Sequence, residues 1–101
     1  MRVLWTRNAI AHLTSIYEHI ALDSPRYARQ MVDRITSRSK QFATFPRSGQ
    51  MVPEYQDVCI REVIEGSYRV IYLIGSDDIR VLDVVHGAQL LPAEAPVESE
   101  E

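Results

Sequence analysis

Residues Val58 to Gln89 read VCIREVIEGSYRVIYLIGSDDIRVLDVVHGAQ. Three runs rich in Val, Ile and Tyr are separated by Glu65-Gly66-Ser67 and by Gly75-Ser76-Asp77-Asp78. Such runs, punctuated by turn residues, predict three consecutive antiparallel strands. The second and third carry Arg69, Arg80 and His86 among apolar residues, where a plain structural sheet would more simply carry Thr or Ser. The functional question therefore centres on this sheet.

Upstream, Arg2 to Trp5 reads as a short first strand in which Val3 and Trp5 alternate. Thr6 is a candidate N-cap. From Asn8 to Ala21 the residues Ala9, Ile10, Leu13, Ile16, Tyr17 and Ile20 fall three and four apart, the spacing of an amphipathic helix. Ser24 as N-cap and Pro25 at the first helical position start a second helix running to about Thr44. Ala28, Met31, Val32, Ile35, Phe42 and Phe45 share one side of it, with Arg26, Arg29, Arg34, Arg38 and Lys40 mostly outside. Two amphipathic helices with so short a link form a hairpin, and the sheet is the natural partner for their remaining apolar surface. Pro46 to Asp57 reads as a loop. The predicted architecture is α+β, order β-α-α-β-β-β: an antiparallel sheet with an N-terminal helical hairpin packed on one face. Residues 1–92 form a single domain, and 93–101 an acidic tail with little to bury, expected to be mobile or partner-dependent.

The 101 residues suit one domain with one modest core. No apolar run approaches the roughly 18 residues that span a bilayer, and the start MRVLWTRN has no signal-peptide apolar region. A cytoplasmic protein without membrane attachment is expected. The single Cys59 excludes an intrachain disulfide and an all-cysteine metal site; mid-strand, it reads as a small buried hydrophobe. Net charge is −3, but four of the fourteen acids lie in the tail, leaving ten against eleven bases of which only Lys40 is not Arg. A protein gripping extended nucleic acid usually shows a clearer basic excess.

Strand alternation separates the sheet faces. A last turn centred on Ser76-Asp77 sets residue 73 opposite 80, 71 opposite 82 and 69 opposite 84. Arg69, Arg80 and His86 then cluster on the face away from the helices, with Tyr68, Val70, Tyr72, Ile79, Val81, Asp83 and Val85 on the other. Whether Arg61 or Glu62 joins them depends on a two- or three-residue turn at Glu65-Gly66-Ser67. One reading of Glu54, Arg69 and His86 is an acid–base site for a phosphodiester: a carboxylate or imidazole takes a 2′-hydroxyl proton and the arginine holds the phosphate charge. The other is that Arg69 and Glu54 form a structural ion pair and His86 ends a strand. His12 and His19 lie seven apart on a helix with no third ligand, so no metal site is expected, nor any cofactor.

Trp5 and the helix bearing Ala9, Leu13, Ile16 and Ile20, then Ser24-Pro25 with Ala28, resemble the start of the RelE/ParE toxin superfamily. So do Phe45-Pro46, Gly49, Val52-Pro53-Glu54, Ile60-Arg61-Glu62, Tyr68-Arg69-Val70-Ile71-Tyr72 and Val85-His86-Gly87-Ala88, with Leu90-Leu91-Pro92 closing the match. It spans about residues 2–92 in order. The resemblance implies the toxin of a type II toxin–antitoxin module, inhibiting growth or stabilising a plasmid and neutralised by a cognate, ParD-like antitoxin. Two mechanisms share this fold: the ParE branch poisons DNA gyrase, and the RelE branch cleaves mRNA on the ribosome. Val52-Pro53-Glu54, Ile60-Arg61-Glu62 and His86-Gly87-Ala88 look more like ParE.

Under the ribonuclease alternative, Glu54, Arg69 and His86 match positions of a general base, a phosphate-binding Arg and a catalytic His. A non-toxic paralogue that only binds an antitoxin is a third possibility. Target contact is expected at Arg61, Arg69, Arg80, His86 and Gln89, the last standing where many relatives have Arg. Because antitoxins of this family are usually acidic, Arg29, Arg34 and Arg38 are candidate antitoxin contacts. The acidic tail is an alternative occupant of the Arg69–Arg80 face.

Overall fold

In the computed structural model, residues 1–97 are described. The chain runs through β1 (Arg2–Trp5), α1 (Arg7–Ala21), α2 (Pro25–Lys40), a 3-10 turn (Gln41–Ala43), β2 (Gln50–Met51), β3 (Ile60–Glu65), β4 (Tyr68–Ile74) and β5 (Asp78–His86). The α+β architecture and its helical hairpin are as expected. The sheet is mixed: its order is β1-β5-β4-β3-β2, and β1 lies parallel to β5 while the other pairs are antiparallel. A four-residue strand carries no sequence signal for its direction. The two-residue β2 lies inside the stretch expected as loop, and Cys59 just precedes β3.

Both helices start where their caps predict. Thr6 and Ser24 accept from the backbone N–H of Ala9 and Tyr27, and Pro25 occupies the first turn of α2. Hairpin β3–β4 closes through Gly66 and Ser67, since Glu65 pairs with Tyr68. Of the two, only Gly66 has positive φ (60°), the pattern of a type II′ turn. The two-residue turn fixes the open register: Glu62 pairs with Ile71 and Ile64 with Arg69, so Glu62 joins the face of Arg69.

The sheet is buried on both faces. Beneath the helices, Val63, Val70, Tyr72, Ile79, Val81 and Val84 pack with Ala9, Met31, Ile35 and Phe42. Tyr72 stacks on Phe42 at 3.9 Å, donates to the Pro46 carbonyl (2.7 Å) and accepts from Gly49 N–H (2.9 Å). Phe45, expected on the same side of the helix, is instead exposed because α2 ends at Lys40 and the chain turns. On the opposite face, Val52, Ile60, Ile71, Leu82 and Val85 form a second cluster, covered by Tyr55, Leu91 and Ala95. The start of the acidic tail therefore has packing partners, and Tyr55 Oη donates to the Pro92 carbonyl at 3.0 Å. Glu98, Glu100 and Glu101 lie outside the described residues.

The β4–β5 register changes midway. Leu73 pairs with Arg80 as expected, and Tyr72 with Val81, but Ile71 pairs with Asp83, leaving Leu82 as the extra residue of a β-bulge. Beyond the bulge Arg69 faces Val85, not Val84, and Tyr68 faces His86. The Leu82 carbonyl accepts from Asn8 Nδ2 (2.9 Å) and Thr6 Oγ1 (3.3 Å). The bulge thus doubles as the anchor for the start of α1.

Candidate functional site

Arg69 projects from β4 onto the face away from the helices. There its Nε donates to Glu62 Oε1 (2.7 Å), Nη1 to Glu54 Oε2 (2.9 Å) and Nη2 to Glu54 Oε1 (2.8 Å). Glu62 comes from β3, and Glu54 from the loop after β2. The Arg69 and Glu62 side chains are 10% and 5% exposed, whereas Glu54 is 44% exposed. Arginine suits this position because its planar fork matches a carboxylate with two parallel bonds. Hydrogen bonding from Arg69, then from the backbone, lowers the Glu54 carboxyl to about 2. Hydrogen bonding to Glu54 and Glu62 holds Arg69 above its ordinary value despite burial. Burial, with the Asp83 and Glu54 carboxylates nearby, pushes the Tyr55 phenol up.

This arrangement has definite chemical consequences. A phosphate would have to displace Glu54 to reach the terminal nitrogens of Arg69. A carboxyl held near 2 is ionised at neutral pH but too weakly basic to remove a hydroxyl proton efficiently.

The expected cluster of Arg69, Arg80 and His86 is not assembled. The bulge reverses the alternation of β5, which carries His86 to the helix side, where its ring meets Tyr68 edge-on at 5.7 Å. Val85 takes the place beside Arg69 and joins the second apolar cluster. Arg80 shares the face of Arg69 but pairs with Leu73, at the far end of β4. Its Nε is buried without a hydrogen bond, 3.6 Å from Asp78 Oδ1. Arg61 donates to the Val58 (3.0 Å) and Gly49 (2.9 Å) carbonyls, so it braces the preceding loop. Gln89 is exposed, and its Oε1 accepts from His86 N–H at 3.4 Å.

On the outer side of α2, Arg34 and Arg38 converge on Glu65, with Arg34 Nη2 at 2.8 Å and Arg38 Nη1 at 3.4 Å. Arg29 is exposed and forms no ion pair among the described residues. Between the helices, Leu13, Thr14, Tyr17 and Val32 line a shallow apolar hollow. Ile10 on α1 and Tyr27 on α2 are exposed as well.

One pair is not anticipated by the sequence reading. His12 Nδ1 lies 2.5 Å from Oδ1 of Asp83, whose side chain is 2% exposed. The signal available was Asp83 itself: a carboxylate within an otherwise apolar strand needs a partner. Among the described residues, no group of three or more His, Cys, Asp or Glu side chains is placed to hold a metal ion.

This sheet, with its helical hairpin and buried arginine, defines a type II toxin of the RelE/ParE superfamily. The model of the ParE toxin of the type II toxin–antitoxin system parDE matches residues 3–91, and the chain belongs to that family. Toxin RelE2 of Caulobacter vibrioides is 28% identical over 90 residues, covering 88% of this chain and 98% of its own. A solved structure of the chromosomal ParDE toxin–antitoxin system from P. aeruginosa superposes with a TM-score of 0.71 at 25% identity, covering 85% of this chain and 95% of its counterpart. A type II toxin has an antitoxin as partner. Among the described residues no helix is long and apolar enough to cross a membrane.

Proposed function

We propose that this toxin stops growth by poisoning DNA gyrase and does not itself cleave mRNA. The observation that carries this reading is the engagement of Arg69, whose fork is closed by Glu54 and whose Nε is held by Glu62. A ribonuclease on this face would need a free phosphate-binding cation, a base of useful strength and a nearby histidine. Here the arginine is occupied, Glu54 is held at about 2, and His86 lies on the other side of the sheet. The near-neutral body also suits a protein target better than ribosomal RNA. Arg80, whose side chain is 38% exposed and lies 3.6 Å from Asp78, is the strongest candidate for target contact. The helical hairpin is the proposed docking surface for a ParD-like antitoxin, through the hollow between α1 and α2 and through Arg29.

The test is a paired assay on antitoxin-free protein: gyrase supercoiling with trapping of cleaved DNA, beside mRNA cleavage on programmed ribosomes. Trapped gyrase with intact mRNA is expected. The ribonuclease alternative is favoured by the RelE name of the Caulobacter relative. Cleaved mRNA, abolished by Arg69→Lys in a folded protein, would replace the gyrase reading with that one.

A further inference from the structure

Glu54 and Tyr55 are neighbours in the loop between β2 and β3, and each closes part of the sheet face away from the helices. Glu54 occupies both terminal nitrogens of Arg69, at 2.9 and 2.8 Å. Tyr55 packs on the second apolar cluster, and its Oη donates to the Pro92 carbonyl at 3.0 Å. Pro92 belongs to a strap, residues 91–97, that covers the same cluster through Leu91 and Ala95. Among the described residues, no backbone hydrogen bond joins this strap to a strand; Val97 N–H bonds within it, to the Ala95 carbonyl at 2.9 Å. The strap is thus tied down by side-chain packing and one hydrogen bond, and it can lift without breaking the sheet.

The loop is firm at its ends and strained between them. Val52 N–H donates to the Ile60 carbonyl (3.1 Å), and Asp57 accepts from Ile60 N–H on its carbonyl and from Cys59 N–H on its side chain (2.9 Å each). Between these anchors Gln56 has a φ of 51°, the left-handed region that residues other than glycine rarely enter. Such a conformation persists only where surrounding contacts hold it. The holding contacts are Tyr55 on the strap, Glu54 on Arg69, and the Tyr55 and Gln56 N–H groups on the Val52 carbonyl. Water reaches the Glu54 side chain, which is 44% exposed, so its ion pair alone is a weak tie. We propose that strap and loop form one latch: the strap, by holding Tyr55, keeps Glu54 on Arg69, and lifting the strap releases the Arg69 fork. The arginine stays oriented when the latch opens, because its Nε is held by buried Glu62 at 2.7 Å. An open latch presents two terminal nitrogens ready for an oxyanion, and a closed one denies them. The latch rests on the engaged fork that carries the proposed function, which is its closed state. Gyrase contact through Arg80, at the far end of β4, does not pass through it.

The test follows the Arg69 guanidinium and the Glu54 carboxyl by NMR in the full-length, antitoxin-free protein. Wild type should show slow rotation of the two Nη groups, as a bidentate pair requires, and a Glu54 carboxyl at about 2. Leu91→Glu with Ala95→Glu sets two charges against the apolar cluster and should lift the strap without altering Arg69, Glu54 or Tyr55. Nη rotation should then quicken about tenfold, as expected on losing one or two hydrogen bonds. The Glu54 carboxyl should rise towards its ordinary 4.5. Tyr55→Phe keeps the ring and removes only the bond to Pro92, so it should move both readouts the same way by less. It also serves as the second variant if the double substitution unfolds the protein. Wild-type rotation and a wild-type carboxyl in every variant that folds would overturn the proposal. Neither readout involves gyrase or ribosomes, so that failure would leave the proposed function standing, and failure to trap gyrase would leave the latch standing.

Discussion

The guanidinium of Arg69 meets the carboxylate of Glu54 in two parallel hydrogen bonds, at 2.9 and 2.8 Å. Its Nε–H donates to Glu62, a carboxylate with almost no solvent contact. Removing the arginine leaves Glu62 buried and uncompensated. Arg69→Ala should therefore cost about 3–5 kcal/mol, the usual penalty for breaking a buried pair from one side. Replacing both partners with apolar residues, Arg69→Met with Glu62→Leu, should recover much of that loss. Urea unfolding of the three proteins checks this; a loss below about 1 kcal/mol for Arg69→Ala would mean the triad is structurally idle.

The same triad makes a functional prediction that separates folding from chemistry. Glu54→Gln removes the charge that occupies the terminal nitrogens of Arg69 but leaves Glu62 in place. A gyrase poison should keep its potency within about threefold, because no proton is moved by Glu54. A ribonuclease using Glu54 as base should lose about a hundredfold or more in rate. Dose–response curves for gyrase inhibition and for mRNA cleavage distinguish the two.

Acid sensitivity follows from the sign of the Glu54 shift. Its carboxyl is at about 2 in the folded protein, against 4.5 for the unperturbed group. A depressed folded-state value stabilises the native state above pH 4.5, and that stability drains away as pH falls from 4.5 towards 2. Solvent screening reduces the effect, since the Glu54 side chain is 44% exposed. Urea midpoints should be level above pH 4.5 and decline below it, with a shallower decline in Glu54→Gln. Identical slopes in the two proteins would show that Glu54 contributes nothing to acid unfolding.

Tyr72 and Gly49 form a second junction that should not tolerate change. The Tyr72 hydroxyl joins the Pro46 carbonyl to the Gly49 N–H, and a Cβ on Gly49 would stand 2.5 Å from the Glu62 carbonyl oxygen. Tyr72→Phe leaves the buried Gly49 N–H without its partner and should cost about 1–3 kcal/mol. Gly49→Ala must push backbone aside, so it should lower the thermal midpoint by more than Tyr72→Phe does. Scanning calorimetry of both variants measures the order; the reverse ranking would mean that the loop simply moves away.

The helices and the main hairpins were legible because their signals are local. Thr6 and Ser24 sit at the expected caps, and the apolar spacing of α1 and α2 marks the faces they bury. The bulge at Leu82 was not legible. In Val81-Leu82-Asp83-Val84-Val85 almost every residue is apolar because both faces of the sheet are covered, so alternation cannot report a slip. One extra residue then moved His86 across the sheet and dissolved the predicted acid–base cluster. Glu54 and Arg69 escaped this error, because their contact does not pass through β5. Arg34 and Arg38 read correctly as outward-facing, but their capture by Glu65 depends on how α2 lies against β3, a tertiary fact without local signature.

That capture makes the antitoxin surface testable through two opposite changes. Arg29 is unpaired among the described residues, whereas Arg34 and Arg38 already share Glu65, whose side chain is 16% exposed. If an acidic antitoxin segment docks along α2, Arg29 meets it at no cost in cis, and the other two must first release Glu65. Arg29→Glu should weaken antitoxin binding about five- to tenfold at low salt, mostly through slower association. Glu65→Gln should do the opposite, freeing Arg34 and Arg38 and raising the association rate. Both effects should shrink as ionic strength shortens the screening length. Surface plasmon resonance with the cognate antitoxin, at two salt concentrations, measures all of this. If Glu65→Gln slowed association instead, Glu65 would be shaping the docking surface, not competing for it.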